Sequence, residues 1–494
     1  MTDQISSFPS ADDAVTLPIT SRQIFRARQN LGVNLGGVFV REKWIFHLTF
    51  PGNTLFELEA VAKSVNDVGV DQTRRAMEKY WKDYISNDDW KWMQGQGVTG
   101  VRIPLGYWNI GGGKFVSGTK FESFSEIYRN SWNILKSHYI EPAAGHNIAI
   151  CVDIHALPGG ANGDASSGEK NGGSADFWSN QQYQDLMVQA MRFVAQDLLS
   201  YDNISSILLA NEAVSMGSID PETNYYVRAI KAIREIDTSI PIVISDAWSA
   251  NQYVKWVQQQ QGENNCAGLI IDEHCYRCFS QSDLAKSADQ ITNDLQSDLL
   301  SGLDNNGRGV DIMIGEWTCV LDGQTWARTG LDPNDYGSSR RAAYVAKFAQ
   351  TQMGLFLQRA PASIYFWTYK FESGNGGEWD FKQQLNKSFT FPSVSVPTAG
   401  YFDVLFNQHY QAHVDYWHKA NPNENYEHYR YEDGFKAAWN DYETFAKAGS
   451  RVGRTQAIKS ARYRQHLKSR GVLRFLWEWD HGYNQALSEV TKYI

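Results

Sequence analysis

The chain has 494 residues and a mass of 56.0 kDa, more than one ordinary core needs and suited to a large domain with an extension. Hydrophobic residues make up 42% and charged residues 20%, a globular balance that excludes a disordered tether; aromatics reach 13%, with 17 Trp and 25 Tyr, a stock of flat apolar surfaces. A net charge of -9 and a pI near 5.7 repel phosphate backbones and argue against general nucleic-acid or anionic-membrane binding.

Residues 1–24 form a polar, acidic segment without an apolar h-region, so no secretory signal is expected. No stretch approaches the roughly 18 apolar residues of a spanning helix, so stable membrane insertion is not expected. Cys151, Cys266, Cys275, Cys278 and Cys319 are too few for a disulfide framework and odd in number. They point to free thiols in a reducing compartment, and a cytoplasmic location is the expectation.

From residue 25 to 394, eight runs rich in Val, Ile and aromatics alternate with segments of helical spacing. They cover residues 30–37, 97–104, 147–155, 205–212, 240–246, 268–274, 310–316 and 363–369. Near-continuous apolar strands of this kind belong to a parallel sheet covered on both faces. Eight of them predict an α/β fold, a closed (β/α)8 TIM barrel. The alternative is an open doubly wound sheet, but neither a GxGxxG nor a Walker A sequence follows any run, which removes dinucleotide and NTP chemistry.

Polar residues fall where the runs end. Glu42 lies beyond the first run, Arg102 near the end of the second, His155 ends the third, Asn211 and Glu212 the fourth and Asp246 the fifth. His274 ends the sixth with Tyr276 just beyond, Glu316 ends the seventh, and Trp367 lies near the end of the eighth. Barrel enzymes place their chemistry at this C-terminal mouth. A carboxylate buried there costs several kcal/mol unless paired, so each Glu serves either a rim salt bridge or a reaction. Two carboxylates over an aromatic floor are what glycoside hydrolysis uses: one acid protonates the leaving oxygen while the other carboxylate attacks or activates water. His155 and His274 could equally be core histidines satisfied by backbone, Arg102 a rim ion pair and Trp367 packing.

Seven segments carry a family resemblance: GVNLGGVFVREKWI (32–45), GVTGVRIPLGYW (97–108), VDIHALPGGANG (152–163), LLANEA (208–213), DEHCYRCFS (272–280), IGEWT (314–318) and FWTYKFE (366–372). In this order the chain resembles glycoside hydrolase family 5 over roughly residues 30–385, in particular the fungal exo-β-1,3-glucanases (glucan 1,3-β-glucosidases). The resemblance implies that Glu212 is the general acid/base and Glu316 the nucleophile of a retaining double displacement. Asn211 would bind the sugar 2-hydroxyl, and Arg102 and Tyr276 would hold the nucleophile ionised. His155 and His274 would contact sugar hydroxyls or the carboxylates, Trp367 would lie under the sugar ring, Glu42 would bind the non-reducing end, and Phe279 would grip the next sugar. The substrate is then a β-glucan or β-glucoside, with neither cofactor nor metal expected. An inactive carbohydrate-binding barrel is the rival reading, opposed by the presence of both carboxylates.

Two departures qualify the transfer. Ala213 follows Glu212 where many relatives have Pro, and Asp164 stands where secreted exoglucanases usually carry the second Phe of an aromatic clamp. A more polar outer subsite is expected, with glucolipids or small glucosides as alternative substrates. The loop 158–174, with six glycines, is either a mobile lid or a surface excursion.

Other signals are weaker. Cys275-x-x-Cys278 has metal or redox spacing without a second CxxC. His409 and His413, four apart, lack an HExxH glutamate and show no third ligand in sequence. The sequons at Asn203 and Asn386 are expected to stay unused. Residues 395–494 form a helical, aromatic-rich extension whose stretch 451–474 holds eight Lys or Arg and no Asp or Glu. It reads first as an appendage docked on the barrel, then as a subunit interface, and last as a surface for a phosphate-bearing or membrane partner; oligomeric state stays open.

Overall fold

The computed structural model describes residues 11–261, 268–303, 310–396, 398, 400–472 and 474–490; Cys266 and residues 1–10 of the polar first segment lie outside them. The eight apolar runs become strands β1 (Asn30–Asn34), β2 (Gly100–Gly106), β3 (Ala149–Ala156), β4 (Ile204–Leu208), β5 (Ile242–Ser245), β6 (Leu269–Cys275), β7 (Asp311–Trp317) and β8 (Ser363–Phe366). Each pairs in parallel with its sequence neighbour, and β8 closes on β1. The fold is therefore the (β/α)8 barrel, and the open-sheet alternative falls.

Side-chain alternation explains the interior. Cys151, Leu208, Val243, Ile270, Met313 and Tyr365 pack into one cluster, while the opposite faces of the same strands meet the helices in a much larger apolar layer. The helix after β3, Gln181–Leu198, illustrates the outer ring. Asn180 caps it by accepting the Tyr183 N–H, and Met187, Ala190, Met191, Val194 and Leu198 form its buried stripe at three- and four-residue spacing.

The extension folds as helices Tyr401–Ala420, Tyr429–Lys447, Thr455–Arg470 and Trp477–Val490. Phe435, Trp439, Tyr442, Trp479 and Tyr483 are the centre of a separate core. Two glycines let helices 429–447 and 477–490 touch backbone to backbone: a Cβ on Gly434 would lie 2.1 Å from the Trp479 carbonyl oxygen, and one on Gly482 would lie 2.0 Å from that of Tyr431.

This core docks beneath the barrel, at the N-terminal ends of its strands. Arg454 reaches Asp311 at the start of β7 at 3.3 Å, Asp311 also accepts the Gln456 N–H at 2.9 Å, and Gln29 N donates to the Arg451 carbonyl at 2.8 Å. The basic stretch is largely neutralised within the chain. Arg462 pairs with Asp441, Arg464 with Asp13 at 2.5 Å, Arg470 with Asp433 at 3.0 Å, Arg474 with Glu424 at 2.9 Å and Lys459 with Asp480 at 3.0 Å. Those charges are spent on internal pairing, which leaves the phosphate and membrane reading without support. Among the described residues no helix is long and apolar enough to cross a membrane.

Candidate active site

The mouth is assembled by strand periodicity. Asp153 and His155 on β3 are two residues apart, as are Asp272 and His274 on β6, so each carboxylate shares its strand's inner face with the imidazole above it. The carboxylates grip those rings, with Asp153 Oδ2 2.8 Å from His155 Nδ1 and Asp272 Oδ2 3.3 Å from His274 Nε2. A register shift between β6 and β7 sets His274 opposite Glu316. Gly315 makes this possible: a Cβ there would lie 2.1 Å from Asp272 Oδ1.

Arg102 is the hub and is fully buried. It meets Glu316 Oε1 at 2.9 Å, Asp153 at 3.1 Å and Asp272 at 3.5 Å, and donates to Asn34 Oδ1 at 2.9 Å and Asn211 Oδ1 at 2.6 Å. One guanidinium thus compensates three buried carboxylates, which is the condition for keeping them there. Glu316 Oε2 accepts a second hydrogen bond, from Tyr276 Oη at 2.6 Å.

Glu212 follows β4 with φ at +42°, in the left-handed region where a non-glycine residue is strained. Two bonds hold that turn, Asn162 Nδ2 to the Glu212 carbonyl at 3.1 Å and Ala213 N to Ser245 Oγ at 3.1 Å. The carboxylate points at His274 Nδ1, 2.9 Å away, and His274 Nδ1 also lies 3.6 Å from Glu316 Oε2. One oxygen each from Glu212 and Glu316 and a nitrogen of His274 all fall within 4.8 Å of one another.

The electrostatics follow from this crowding. Burial works against protonating His274, but Glu316, Asp272 and Glu212 outweigh it and lift its pKa well above the ordinary value. Burial raises Glu316 against the pull of His274 and Arg102. Burial also pushes Glu212 upward, but its hydrogen bond to His274 and the charges of His274 and His155 reverse the direction and hold it below the usual range. These directions favour the protonated form of His274.

Around this centre the walls are aromatic. Trp367 lies parallel to the His155 ring, 5.8 Å between centroids. Glu42 accepts from Trp44 Nε1 at 2.9 Å, and desolvation by the surrounding walls pushes its carboxyl up to about 7, within electrostatic reach of His155 and both other glutamates. The loops after β1 and β8 are stitched together, with Glu372 N donating to the Ile45 carbonyl at 3.1 Å, Leu48 N to Glu372 at 3.0 Å, and Trp44 between Phe371 and Trp379. A cavity of about 790 Å³ opens behind Trp44 and Trp379.

Glu42, Arg102, His155, Asn211, Glu212, His274, Tyr276, Glu316 and Trp367 thus share one mouth. Phe279 does not reach the centre; it stands on the rim, 66% exposed, beside Tyr276 and Trp379. Sequence reading missed Asp153, Asp272 and Asn34. The repeated D-x-H at the ends of β3 and β6 was the signal for the first two. It also missed Trp248, exposed after β5 and edge-on to His274, and the pairing of Asp246 with Glu273, in which burial raises both carboxyls and Asp246 raises Glu273 further. Cys275 and Cys278 are free buried thiols. Asn203 is buried with its amide donating to the Ile140 carbonyl at 2.9 Å, so that sequon is closed in the fold.

Residues 61–350 match the family model described as Cellulase (glycosyl hydrolase family 5), and residues 402–494 match the Glucan 1,3-beta-glucosidase 3 C-terminal domain. An uncharacterized glycosyl hydrolase of Saccharomyces cerevisiae is 32% identical over 489 residues, covering 95% of this chain and 92% of its own length. Glucan 1,3-beta-glucosidase 3 of Schizosaccharomyces pombe is 32% identical over 473 residues, covering 95% and 96%. Among solved structures, rutinosidase from Aspergillus niger superposes with a TM-score of 0.56 at 18% identity, over 73% of this chain and 97% of that one, a likeness of fold.

Proposed function

The chain belongs to glycosyl hydrolase family 5, and from that premise we propose that it is a retaining exo-glucosidase, releasing glucose from the non-reducing end of β-1,3-linked glucans. The observation that carries the reading is the pair Glu212 and Glu316, whose oxygens approach within 4.8 Å across His274. Retaining enzymes hold their carboxyl groups about 5–5.5 Å apart and inverting ones roughly 6.5–9.5 Å, leaving room for a water. The name of the Schizosaccharomyces pombe relative supports the β-1,3 linkage.

In the first step Glu316 attacks the anomeric carbon, and the glycosidic oxygen leaves with a proton from Glu212. That proton comes along the 2.9 Å hydrogen bond from His274 Nδ1, which becomes neutral as Glu212 becomes the acid. Arg102 and Tyr276 hold Glu316 in place for attack. In the second step Glu212 takes a proton from water, whose oxygen displaces Glu316 and gives a product of unchanged configuration. Asn211 accepts from Arg102 through Oδ1, so its Nδ2 is the side that can donate to the sugar 2-hydroxyl. Trp367 supplies a flat apolar face for the ring. The stitched β1 and β8 loops, with Glu42 among them, support a pocket closed at the non-reducing end, as exo attack requires.

Asp164 favours a second substrate reading. Burial, with the charge of Glu212, raises its carboxyl, so a polar group occupies the outer subsite where an aromatic clamp would stand, in keeping with small glucosides or glucolipids. Proton NMR during hydrolysis of laminarin and of an aryl β-glucoside tests both levels. β-Glucose as the first product and no intermediate oligosaccharide are expected; α-glucose would reject retention, and oligosaccharides would reject exo attack.

A further inference from the structure

The C-terminal helices carry a second convergence of imidazole and carboxylate, on elements that hold none of the barrel-mouth residues. His413 sits on helix 401–420, His428 at the cap of helix 429–447, and Glu478 in the first turn of helix 477–490. Glu478 is fully buried, and its Oε2 lies 3.0 Å from His413 Nε2 and 2.7 Å from His428 Nδ1. The sequence reading of His409-x-x-x-His413 found no third ligand; the fold turns His409 toward Glu489, 3.0 Å away, and supplies His413 with partners from two other segments. His481, one helical turn beyond Glu478 in a Glu-x-x-His sequence, places its ring 5.1 Å from that of His413.

We infer that His413 Nε2, His428 Nδ1 and Glu478 Oε2 form a binding site for a divalent metal of the zinc class, with His481 or water completing the shell. Two imidazole nitrogens and a carboxylate oxygen are a borderline-soft donor set suited to such an ion rather than to calcium or magnesium. The three donor atoms lie within 4.8 Å of one another, close enough to converge on one ion. His413 is buried, its Nδ1 meets no hydrogen-bond partner among the described residues, and its Nε2 faces Glu478 Oε2. Tyr431 stacks on His413 at 4.1 Å, and Tyr426 stacks on His428 at 5.4 Å, fixing both rings. Glu478 Oε1 is anchored separately by the Glu427 N–H at 2.9 Å, which leaves Oε2 for the ion. His428 is only partly buried and His481 is exposed, giving the ion a path from solvent.

The ion would tie the first, second and last helices of the extension through bonds that a chelator can remove, so its binding energy becomes stability of this segment. The test uses the full chain, stripped with a chelator and then titrated with Co²⁺, whose d–d absorption reports a nitrogen and oxygen shell, and with Zn²⁺ as competitor. Because Glu212, His274 and Glu316 also cluster, the Glu316→Gln protein is titrated in parallel. One equivalent of Co²⁺, displaced by Zn²⁺, is expected in both proteins, with a rise in thermal midpoint on adding Zn²⁺. His428→Gln should lower the affinity at least about tenfold and abolish the Zn²⁺-dependent rise while keeping the circular dichroism spectrum. If His428→Gln proves misfolded, His428→Cys, which keeps a donor at that position, should bind Co²⁺ with the near-ultraviolet charge-transfer band of a thiolate ligand, and binding without that band would overturn the site. Absence of stoichiometric binding in the unaltered protein, or binding that persists in His428→Gln and disappears in Glu316→Gln, would overturn the site and leave Glu478 simply hydrogen-bonded to two histidines.

Discussion

Tyr276 Oη stands 2.6 Å from Glu316 Oε2, on the side of the carboxylate that Arg102 leaves open. Burial, with the charge of Glu212, raises Glu316 against the opposing charges of His274 and Arg102. Tyr276→Phe removes one hydrogen bond to a charged acceptor, about 1.5–3 kcal/mol, equivalent to roughly one to two pH units. Glu316 must be ionised to attack, so the acidic limb of kcat/KM moves to higher pH by that amount, measured on an aryl β-glucoside. An unmoved limb would show that His274 and Arg102 set the ionisation without Tyr276.

Glu42 yields a pH test of opposite character. Its carboxyl ordinarily ionises near 4.5 and is pushed up to about 7 here by desolvation. Above 7 the anion accepts charge-assisted hydrogen bonds from sugar hydroxyls, so kcat/KM should rise through an inflection near that pH. A raised acid is easier to ionise in the unfolded chain, so its effect on stability is full below about pH 4.5 and turns increasingly unfavourable as pH climbs toward 7. Glu42→Gln should therefore erase the inflection and raise the thermal midpoint at pH 8 more than at pH 5. Equal shifts at the two pH values would place Glu42 outside the pocket's electrostatics.

Legibility differed by kind of information. The barrel could be read because strands covered on both faces are predominantly apolar, as residues 149–152 and 312–314 are. Polar residues ending such strands then mark the mouth, which is how His155, Glu212, His274 and Glu316 stood out. What could not be read was whatever depends on distance through space. Asp272 gives no signal in sequence because its compensating cation, Arg102, lies four strands away along the sheet. His413 was set aside because its partners His428 and Glu478 follow 15 and 65 residues later. The basic stretch left a surface for anions open as the last of three readings because Asp13 and Asp311, which pair with Arg464 and Arg454, are remote in sequence but adjacent in the fold.

The extension offers a test of packing. A Cβ on Gly482 would sit 2.0 Å from the Tyr431 carbonyl oxygen, a contact that backbone cannot relieve locally. Gly482→Ala must separate helices 429–447 and 477–490, and overpacking of this kind costs about 1–3 kcal/mol or more. The expected result is a lower urea midpoint with kcat on an aryl glucoside little changed, since the mouth lies at the other end of the strands. An unchanged midpoint would refute the close approach of the two helices.

Asp164 decides between the two substrate readings. Its backbone φ of -83° suits any residue and its side chain makes no capping hydrogen bond, while the loop is held by Asn162 Oδ1 accepting the Asp164 N–H at 3.0 Å. Asp164→Phe should thus keep the loop and exchange a charge for an aromatic face near the leaving group. Stacking on a second sugar is worth about 1 kcal/mol, or roughly fivefold in kcat/KM. That gain is expected on laminaribiose and longer laminari-oligosaccharides, with a smaller change on a methyl β-glucoside, whose aglycone has no ring to stack. If the unaltered protein already prefers long laminarin and Asp164→Phe gains nothing, the outer subsite binds glucan without needing that face, and the polar-aglycone reading is lost while the retaining chemistry of Glu212 and Glu316 is untouched.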